Sequence, residues 1–176
     1  HGDLTDDYAA IRKEMEAVAA HFGKHVLREV ELETVESHVG ELRRACGDRA
    51  VLRALHYYDE NARVLEQAAA IRGGDLPAFF DAVKRSGDSS WKLLQNVYAR
   101  STEEQMAMGI ELSRRFLHGD GAQRVHGGGF AGTIQAYVPL DRLDDYKKLM
   151  EDAFGPGSCT ALMVRPEGAV MMPMEG

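Results

Sequence analysis

Residues 124–132 read RVHGGGFAG, and a strand-like run lies on each side of this cluster of glycines. Three consecutive glycines weaken a strand, so a chain that carries them usually needs an unusual backbone conformation or the close approach of another group. Such a turn can present several N–H donors to phosphate or sugar oxygens. On the pattern alone, a plain hairpin turn or bulge is the commoner explanation for residues 127–132, the glycine loop.

The first two-thirds of the chain has the periodicity of amphipathic helices. Apolar residues recur at helical spacing, most clearly in 51–71, where the rhythm continues over about six turns. Gly87 is expected to end one helix, because glycine is a poor helix former. The predicted helices are 6–22, 32–45, 51–71, 76–84, 89–97 and 102–116.

After Gly119 the pattern changes to short runs that are rich in β-branched and aromatic residues, with one amphipathic helix at 140–154. The predicted strands are 123–126, 133–138, 160–164 and 169–172. We therefore predict one α+β domain over 1–176, with a helical part at 6–117 and a strand-rich part at 120–174. Its antiparallel sheet should be covered on one face by helices.

The composition excludes some classes of partner. The chain has 176 residues, a net charge of −7 and a pI of about 5.5. We expect no nucleic acid and no membrane as partner, because nucleic acids and anionic membranes need a basic face and no apolar run is long enough to span a bilayer. Two cysteines, Cys46 and Cys159, are typical of reduced thiols in a cytoplasmic protein. The first residue is His1 and not Met, which we interpret as the boundary of a fragment.

Four stretches, in the same order along the chain, resemble the galactokinases of the GHMP sugar kinase family. Residues 124–133 are similar to the motif R-M-T-G-G-G-F-G-G-C, and residues 6–12, DDYAAIR, to the segment S-E-Y-N-x-R-R. The stretch RSGDSS at 85–90 lies where the family often has E-S-H-x-S. A fourth stretch, RALHYYDENARV, matches the helix pattern R-x-x-H-x-x-x-E-N-x-R-V at Arg53, His56, Glu60, Asn61, Arg63 and Val64. The combination is more specific than any single match.

The resemblance implies a fold and a function. The chain would be the C-terminal lobe of a two-lobed kinase, with a ferredoxin-like antiparallel sheet of about four strands. Galactokinases bind galactose and ATP with Mg²⁺ between the lobes and transfer the γ-phosphate to the anomeric hydroxyl of galactose. By resemblance, Tyr8 contacts the sugar and the glycine loop lines the cleft near the transferred phosphate. The substrate-binding residues so implied are Tyr8, Gly127, Gly128, Gly129, Phe130 and Gly132.

Two residues near the loop depart from the family pattern. His126 stands in place of a threonine, and Ala131 in place of a glycine. A methyl group at Ala131 restricts positive φ, so the turn should differ slightly there. The imidazole of His126 could approach a phosphate oxygen, but we expect it to pack into the domain.

The motifs that would supply the rest of the cleft are absent from the sequence. No stretch resembles the family's G-R-x-N-x-I-G-E-H sugar signature or its P-x-x-x-G-L-S-S-S nucleotide loop. The family's catalytic aspartate also belongs to the other lobe. Because phosphoryl transfer needs groups that converge on the γ-phosphate, we predict no catalytic residue, no metal site, no tightly bound ATP or Mg²⁺ and no kinase turnover for the chain alone.

Two kinds of partner follow from this interpretation. The first is the N-terminal ATP-binding lobe, and the face that it would cover could also support a dimer. The alternative function is a stand-alone ferredoxin-like regulatory or small-molecule-binding module. A natural start codon near His1 would favour that module, whereas the two absent motifs upstream in the same reading frame would favour the kinase.

Overall fold

The computed structural model describes residues 4–130 and 132–164, and this part of the chain is mainly helical. Short 3₁₀ turns occur at Leu27–Glu29 and Leu140–Arg142, and a π-helical turn at Ser90–Leu94. Two strands pair, β1 (Ala122–His126) and β2 (Thr133–Tyr137). The helices are α1 (Thr5–His21), α2 (Leu32–Ser37), α3 (Val39–Cys46), α4 (Asp48–Gly73), α5 (Leu76–Ser89), α6 (Gln105–Leu117) and α7 (Leu143–Phe154).

The first apolar core lies between α1 and the first half of α4. Val18 of α1, Val35 of α2, Leu42 of α3 and Ala54 of α4 are all fully buried there. Their burial places α1 alongside α4, the longest helix. The core therefore fixes the start of α1, where Tyr8 lies, relative to the rest of the domain.

The second part of the domain is a hairpin held between helices. β1 and β2 are antiparallel, from the pair Ala122 and Tyr137 to the pair His126 and Thr133. Ala122 packs with residues of α4 and α5, whereas Val125 packs with residues of α6. Because side chains alternate along a strand, α5 and α6 cover opposite faces of the hairpin. The prediction that helices cover only one face of the sheet is therefore wrong.

Several sequence predictions are confirmed and one helix is divided. The periodic segment at 51–71 lies within α4, and the first two predicted strands correspond to β1 and β2. The predicted helix at 32–45 is wrong as a single element, because it is interrupted at His38. Ser37 Oγ donates to the carbonyl oxygen of Glu33 at 2.7 Å, and His38 Nδ1 lies 2.8 Å from that of Thr34. These side-chain bonds occupy carbonyls that a continuing helix would use.

The prediction that Gly87 ends a helix is also wrong. Gly87 lies inside α5, which continues to Ser89. A Cβ at this position would be 3.1 Å from both the carbonyl oxygen of Gln123 and the Cβ of Arg124. Glycine therefore allows β1 to cross α5 closely, and this contact outweighs its poor helix propensity. The predicted helix at 89–97 is reduced to the π-helical turn, which ends where Gln95 adopts a φ of 57°.

The predicted sheet of about four strands is present only in part. β1 and β2 form the two-stranded sheet of the described residues. Residues 160–164, a predicted strand, have no regular structure, and Leu162, Met163 and Val164 are about nine-tenths exposed. The last predicted strand, 169–172, lies outside the described residues. Within the described ranges no helix is both long and apolar enough to cross a bilayer.

Candidate functional site

The glycine loop connects β1 to β2 through a tight backbone conformation. Gly127 and Gly129 have φ values of +65° and +83°, and Phe130 has a φ of 58°. The N–H of Gly132 donates to the carbonyl oxygen of Gly129 at 3.1 Å and closes the turn. Positive φ is nearly free of cost for glycine and strained for other residues. Ala131 lies outside the described residues, so the expectation about its φ stays a prediction.

Two of the glycines are required because other parts of the chain approach them. A Cβ at Gly129 would lie 2.0 Å from the carbonyl oxygen of Asn96, and one at Gly128 would lie 2.8 Å from Cε1 of Tyr8. By contrast, no atom of the described residues lies within 4 Å of the Cβ position at Gly127. The hairpin explanation and the close-approach explanation of GGG therefore both apply, at different glycines.

Tyr8 touches the loop across 121 residues of sequence. Its hydroxyl donates to the carbonyl oxygen of Gly129 at 2.8 Å. Its ring packs edge-to-face on Phe130, with ring centroids 5.1 Å apart. The structure thus brings together the sequence-derived candidates Tyr8, Gly128, Gly129 and Phe130, with Gly127 and Gly132 in the same turn. Their role in substrate binding stays a prediction.

Asn96 is a site residue that sequence reasoning missed. It is buried, and its carbonyl oxygen accepts the N–H of Phe130 at 2.6 Å. Its side-chain Nδ2 donates to the carbonyl oxygen of Gly128 at 3.2 Å. An asparagine in an irregular stretch gives no sign of such a contact, because the contact depends on how the π-helical turn meets the loop 32 residues later.

The loop's carbonyl groups are held, whereas three of its N–H groups are free. Asn96 and Tyr8 bind the carbonyls of Gly128 and Gly129. In the described part of the chain, no acceptor is hydrogen-bonded to the N–H of Gly127, Gly128 or Gly129. Consecutive free N–H groups in a turn of this kind form a concave donor set that suits an oxyanion. The loop can therefore supply donors to a phosphate or a sugar oxygen.

His126 does not pack into the domain, so that expectation is wrong. Its ring is exposed, and Nδ1 lies 2.8 Å from Oε1 of Gln135 on the neighbouring strand. Gln135 Nε2 in turn lies 3.4 Å from the hydroxyl of Tyr137. With the amide nitrogen of Gln135 turned to Tyr137, its Oε1 accepts a hydrogen bond from the Nδ1–H of His126. In the neutral imidazole, Nε2 is then the ring nitrogen without a proton.

Arg124, the first residue of the quoted stretch, is hydrogen-bonded to side chains of two helices, α4 and α5. Its Nη1 donates to the hydroxyl of Ser86 at 2.6 Å and to Oε1 of Glu60 at 3.3 Å. Ser86 is fully buried and its hydroxyl also donates to Glu60. Arg63 Nε completes the cluster by donating to Oε2 of Glu60 at 2.8 Å. Burial alone would raise the pKa of Glu60, but the hydrogen bonds from Ser86 and Arg63 lower it below its usual value.

His56 and Arg53, on the same helix, are also internal. His56 Nδ1 lies 2.9 Å from Ser89 Oγ, and burial lowers the pKa of the imidazole. His56 is therefore a hydrogen-bonded residue of the domain interior. Arg53 donates to the carbonyl of Leu94 at 3.0 Å and to Glu14 at 2.9 Å, so it connects α4 to α1 and to the π-helical turn. Through these contacts, residues of the matching stretch in α4 stabilise the elements that surround the site.

No metal centre accompanies this site. Across residues 4–130 and 132–164, no group of three or more His, Cys, Asp and Glu side chains is placed to hold a metal ion. The described residues of the site offer hydrogen bonding from backbone N–H groups and a tyrosine hydroxyl, beside an aromatic ring.

The chain is similar to galactokinases in sequence. It is 30% identical over 154 residues to the galactokinase of Mannheimia succiniciproducens and 31% identical to that of Haemophilus influenzae. Each match covers 88% of this chain and 38% of the relative, so the chain spans well under half the length of the curated relatives it matches. No protein-family profile matches the chain.

The fold agrees with the sequence comparison. A crystal structure of Lactococcus lactis galactokinase complexed with galactose superposes with a TM-score of 0.64 at 20% identity. The superposition covers 85% of this chain and 38% of that enzyme. Sequence and fold together therefore identify the chain as a homologue of part of a galactokinase.

Proposed function

We propose that the chain forms the C-terminal part of a galactokinase and supplies one wall of a cleft that binds galactose and ATP with Mg²⁺. One observation supports this most: Tyr8 and Asn96 hold the loop carbonyls while the N–H groups of Gly127, Gly128 and Gly129 stay free. A donor set fixed in advance suits the charge that develops on a transferred phosphoryl group, because no reorganisation is needed during the reaction.

In this proposal Tyr8 and the loop have separate tasks. The hydroxyl of Tyr8 donates its proton to the carbonyl oxygen of Gly129, so toward a sugar hydroxyl its oxygen would act as a hydrogen-bond acceptor. The free N–H groups of the loop would bind the phosphate, and the ring of Phe130, which packs against Tyr8, would be an apolar part of the same wall. The N-terminal lobe would supply the catalytic aspartate and the nucleotide loop. The chain alone would then hold neither ATP nor Mg²⁺ tightly and would not turn over.

The same proposal includes a complete ferredoxin-like sheet and several properties of the whole enzyme. Residues 160–164 and 169–172 would add strands to β1 and β2 and complete a ferredoxin-like sheet of the GHMP kinase type. Three successive apolar side chains, Leu162, Met163 and Val164, are exposed at present and would gain cover in such a sheet. A dimer through the face that meets the other lobe, a cytoplasmic location and a role in galactose metabolism are further parts of the proposal.

The alternative of a stand-alone regulatory or small-molecule-binding module is not favoured. The relatives that match over 88% of the chain are galactokinases. A sheet that packs between helices is shared by many folds and does not by itself indicate a regulatory role.

A chimeric enzyme tests the proposal. The matched part of the Haemophilus influenzae galactokinase is replaced by this chain, and ATP-dependent phosphorylation of galactose is measured. We expect activity in the chimera and none in the isolated chain. Tyr8→Phe in the chimera should lower kcat/KM about tenfold, which corresponds to roughly 1.4 kcal/mol of transition-state stabilisation. Lys148→Gln, an exposed residue of α7, serves as the control.

The outcomes separate folding from function. A chimera that is folded by circular dichroism, binds ATP and yet phosphorylates no galactose would contradict the proposal. Equal kcat/KM for the Tyr8→Phe and Lys148→Gln chimeras would remove Tyr8 from the sugar site while leaving the rest intact.

A further inference from the structure

A cavity of about 360 Å³ lies beside the glycine loop and shares Phe130 with it. The segment that follows α5 forms much of its wall, and the start of α1 and one side of α4 form the rest. The charged and aromatic residues of the wall are Asp7, Arg49, Arg53, Trp91, Lys92, Tyr98 and Phe130. Its volume is in the range of sites that hold a small organic molecule.

The cavity wall carries three cations and one carboxylate. Arg49, Arg53 and Lys92 supply the positive charges and Asp7 the negative charge. This excess is local, since the whole chain has a net charge of −7. Arg49 and Arg53 share a single carboxylate, Glu14, which Arg49 approaches with two nitrogens. Asp7 of the cavity wall also attracts both guanidinium groups, so a phosphate would compete with two carboxylates for Arg49 and Arg53.

Arg53 has an unused donor at this wall. Its side chain is 2% exposed, Nε donates to Leu94 and Nη1 to Glu14. In the described part of the chain, Nη2 makes no hydrogen bond. Burial lowers the pKa of Arg53, although the charges of Glu14 and Asp7 act in the opposite direction. A buried guanidinium with a free nitrogen at a cavity wall is a group that an oxyanion would satisfy.

Lys92 can exchange its present partner for a ligand. It pairs with Asp88 at 3.2 Å on an exposed helix face, where both side chains are about 70% exposed. Such pairs contribute little to stability, so releasing Asp88 costs little. Trp91 precedes Lys92 in the same turn and offers an aromatic face to a ring.

We propose that this cavity binds an organic phosphate monoester. Its phosphate would contact Arg53 Nη2, Arg49 and Lys92, and its ring or apolar body would lie against Trp91 and Phe130. The planar fork of a guanidinium matches phosphate oxygens, and two aromatic rings favour a ligand with a body over a free ion. This inference does not depend on the kinase proposal, because none of these contacts requires another lobe.

The single tryptophan of the chain makes the site observable in the protein as it is. The chain is labelled with ¹⁵N, and the one indole N–H signal, that of Trp91, is followed at constant ionic strength. The probes are phenyl phosphate, inorganic phosphate and phenol. We expect a saturable shift with phenyl phosphate, weaker binding of inorganic phosphate and no saturation with phenol. A larger or equal affinity for phenol would overturn the proposal, since it would make the site simply apolar.

Two matched lysine variants distinguish binding in this cavity from nonspecific attraction of the phosphate by positive charge. Lys92→Gln should raise the Kd for phenyl phosphate about three- to tenfold. Lys148→Gln is the control, because Lys148 forms the same kind of exposed i,i+4 pair with Asp152 on α7. Equal weakening in both variants, or no change with Lys92→Gln, would refute the site. Arg49→Gln gives an independent check at a half-exposed residue whose replacement leaves buried Arg53 in place.

Discussion

Gly127 and Gly129 both adopt positive φ in one loop, but only Gly129 directs its missing side chain at another part of the chain. A Cβ at Gly129 would lie 2.0 Å from the carbonyl oxygen of Asn96, whereas the space around Gly127 is open. Alanine at Gly127 therefore meets only the cost of positive φ, about 1–2 kcal/mol. Alanine at Gly129 adds the cost of overpacking, about 1–3 kcal/mol. We expect Gly129→Ala to lose roughly 2–5 kcal/mol in unfolding free energy.

Urea unfolding followed by circular dichroism gives the free energy of unfolding of both variants, and thermal unfolding followed in the same way gives their Tm. At roughly 2–4 °C per kcal/mol for a domain of this size, Tm should fall by about 2–8 °C for Gly127→Ala and by about 4–20 °C for Gly129→Ala. The Asn96 carbonyl cannot retreat freely, because it also accepts the N–H of Phe130 at 2.6 Å. Equal losses in the two variants would refute the close approach and leave only the backbone conformation to explain GGG.

Three further perturbations test other contacts. Tyr8→Phe removes the hydroxyl that donates to the loop, so unfolding free energy should fall by about 0.5–1.5 kcal/mol in urea titration; no loss would mean that water replaces the bond. Glu60→Gln removes the charge shared by two arginines and a buried serine and should cost about 1.5–3 kcal/mol. Glu111→Gln is the control, because Glu111 also pairs with two arginines but its side chain is 37% exposed. This variant should change the unfolding free energy far less, although the two arginines lower the pKa of Glu111 to about 2. Burial lowers the pKa of His56, so the unfolded chain binds this proton more readily and stability should fall as pH drops below about 6.5. His56→Gln should flatten that dependence in unfolding measured from pH about 7 to about 5, and an unchanged slope would contradict it.

The sequence predicted those elements whose signal is local. The segment at 51–71 has a helical repeat of its own, and the two strands on either side of GGG alternate or carry β-branched residues, so α4, β1 and β2 could be placed without knowing any neighbour. Gly87 shows the opposite case. Its place inside α5 depends on β1 crossing within 3.1 Å of a Cβ position, and that contact cannot be deduced from α5 alone.

The residues of the candidate site also fall into those that a local sequence pattern reveals and those that depend on tertiary contacts. Tyr8 and the glycine loop were found because each belongs to a stretch with a recognisable pattern. Asn96 was missed because its importance comes from the place where an irregular turn meets the loop, not from its neighbours in sequence. His126 was assigned to the wrong environment, because strand alternation tells which face a side chain takes and not whether a helix extends far enough to cover it.

The residues that carry the resemblance are mostly internal, and this limits what the resemblance can say about activity. Arg53, Glu60, Arg63 and Arg124 bind other parts of the chain, and Ser86 is fully buried among them. Selection for stability alone can retain such a network, because removing one member leaves a buried charge without its partner. The galactose and ATP contacts proposed for this chain rest instead on Tyr8 and on the N–H groups of the glycine loop. Catalytic activity therefore depends on the glycine loop and on the N-terminal lobe that it would face. The internal polar network that matches the family pattern indicates the fold and not the activity.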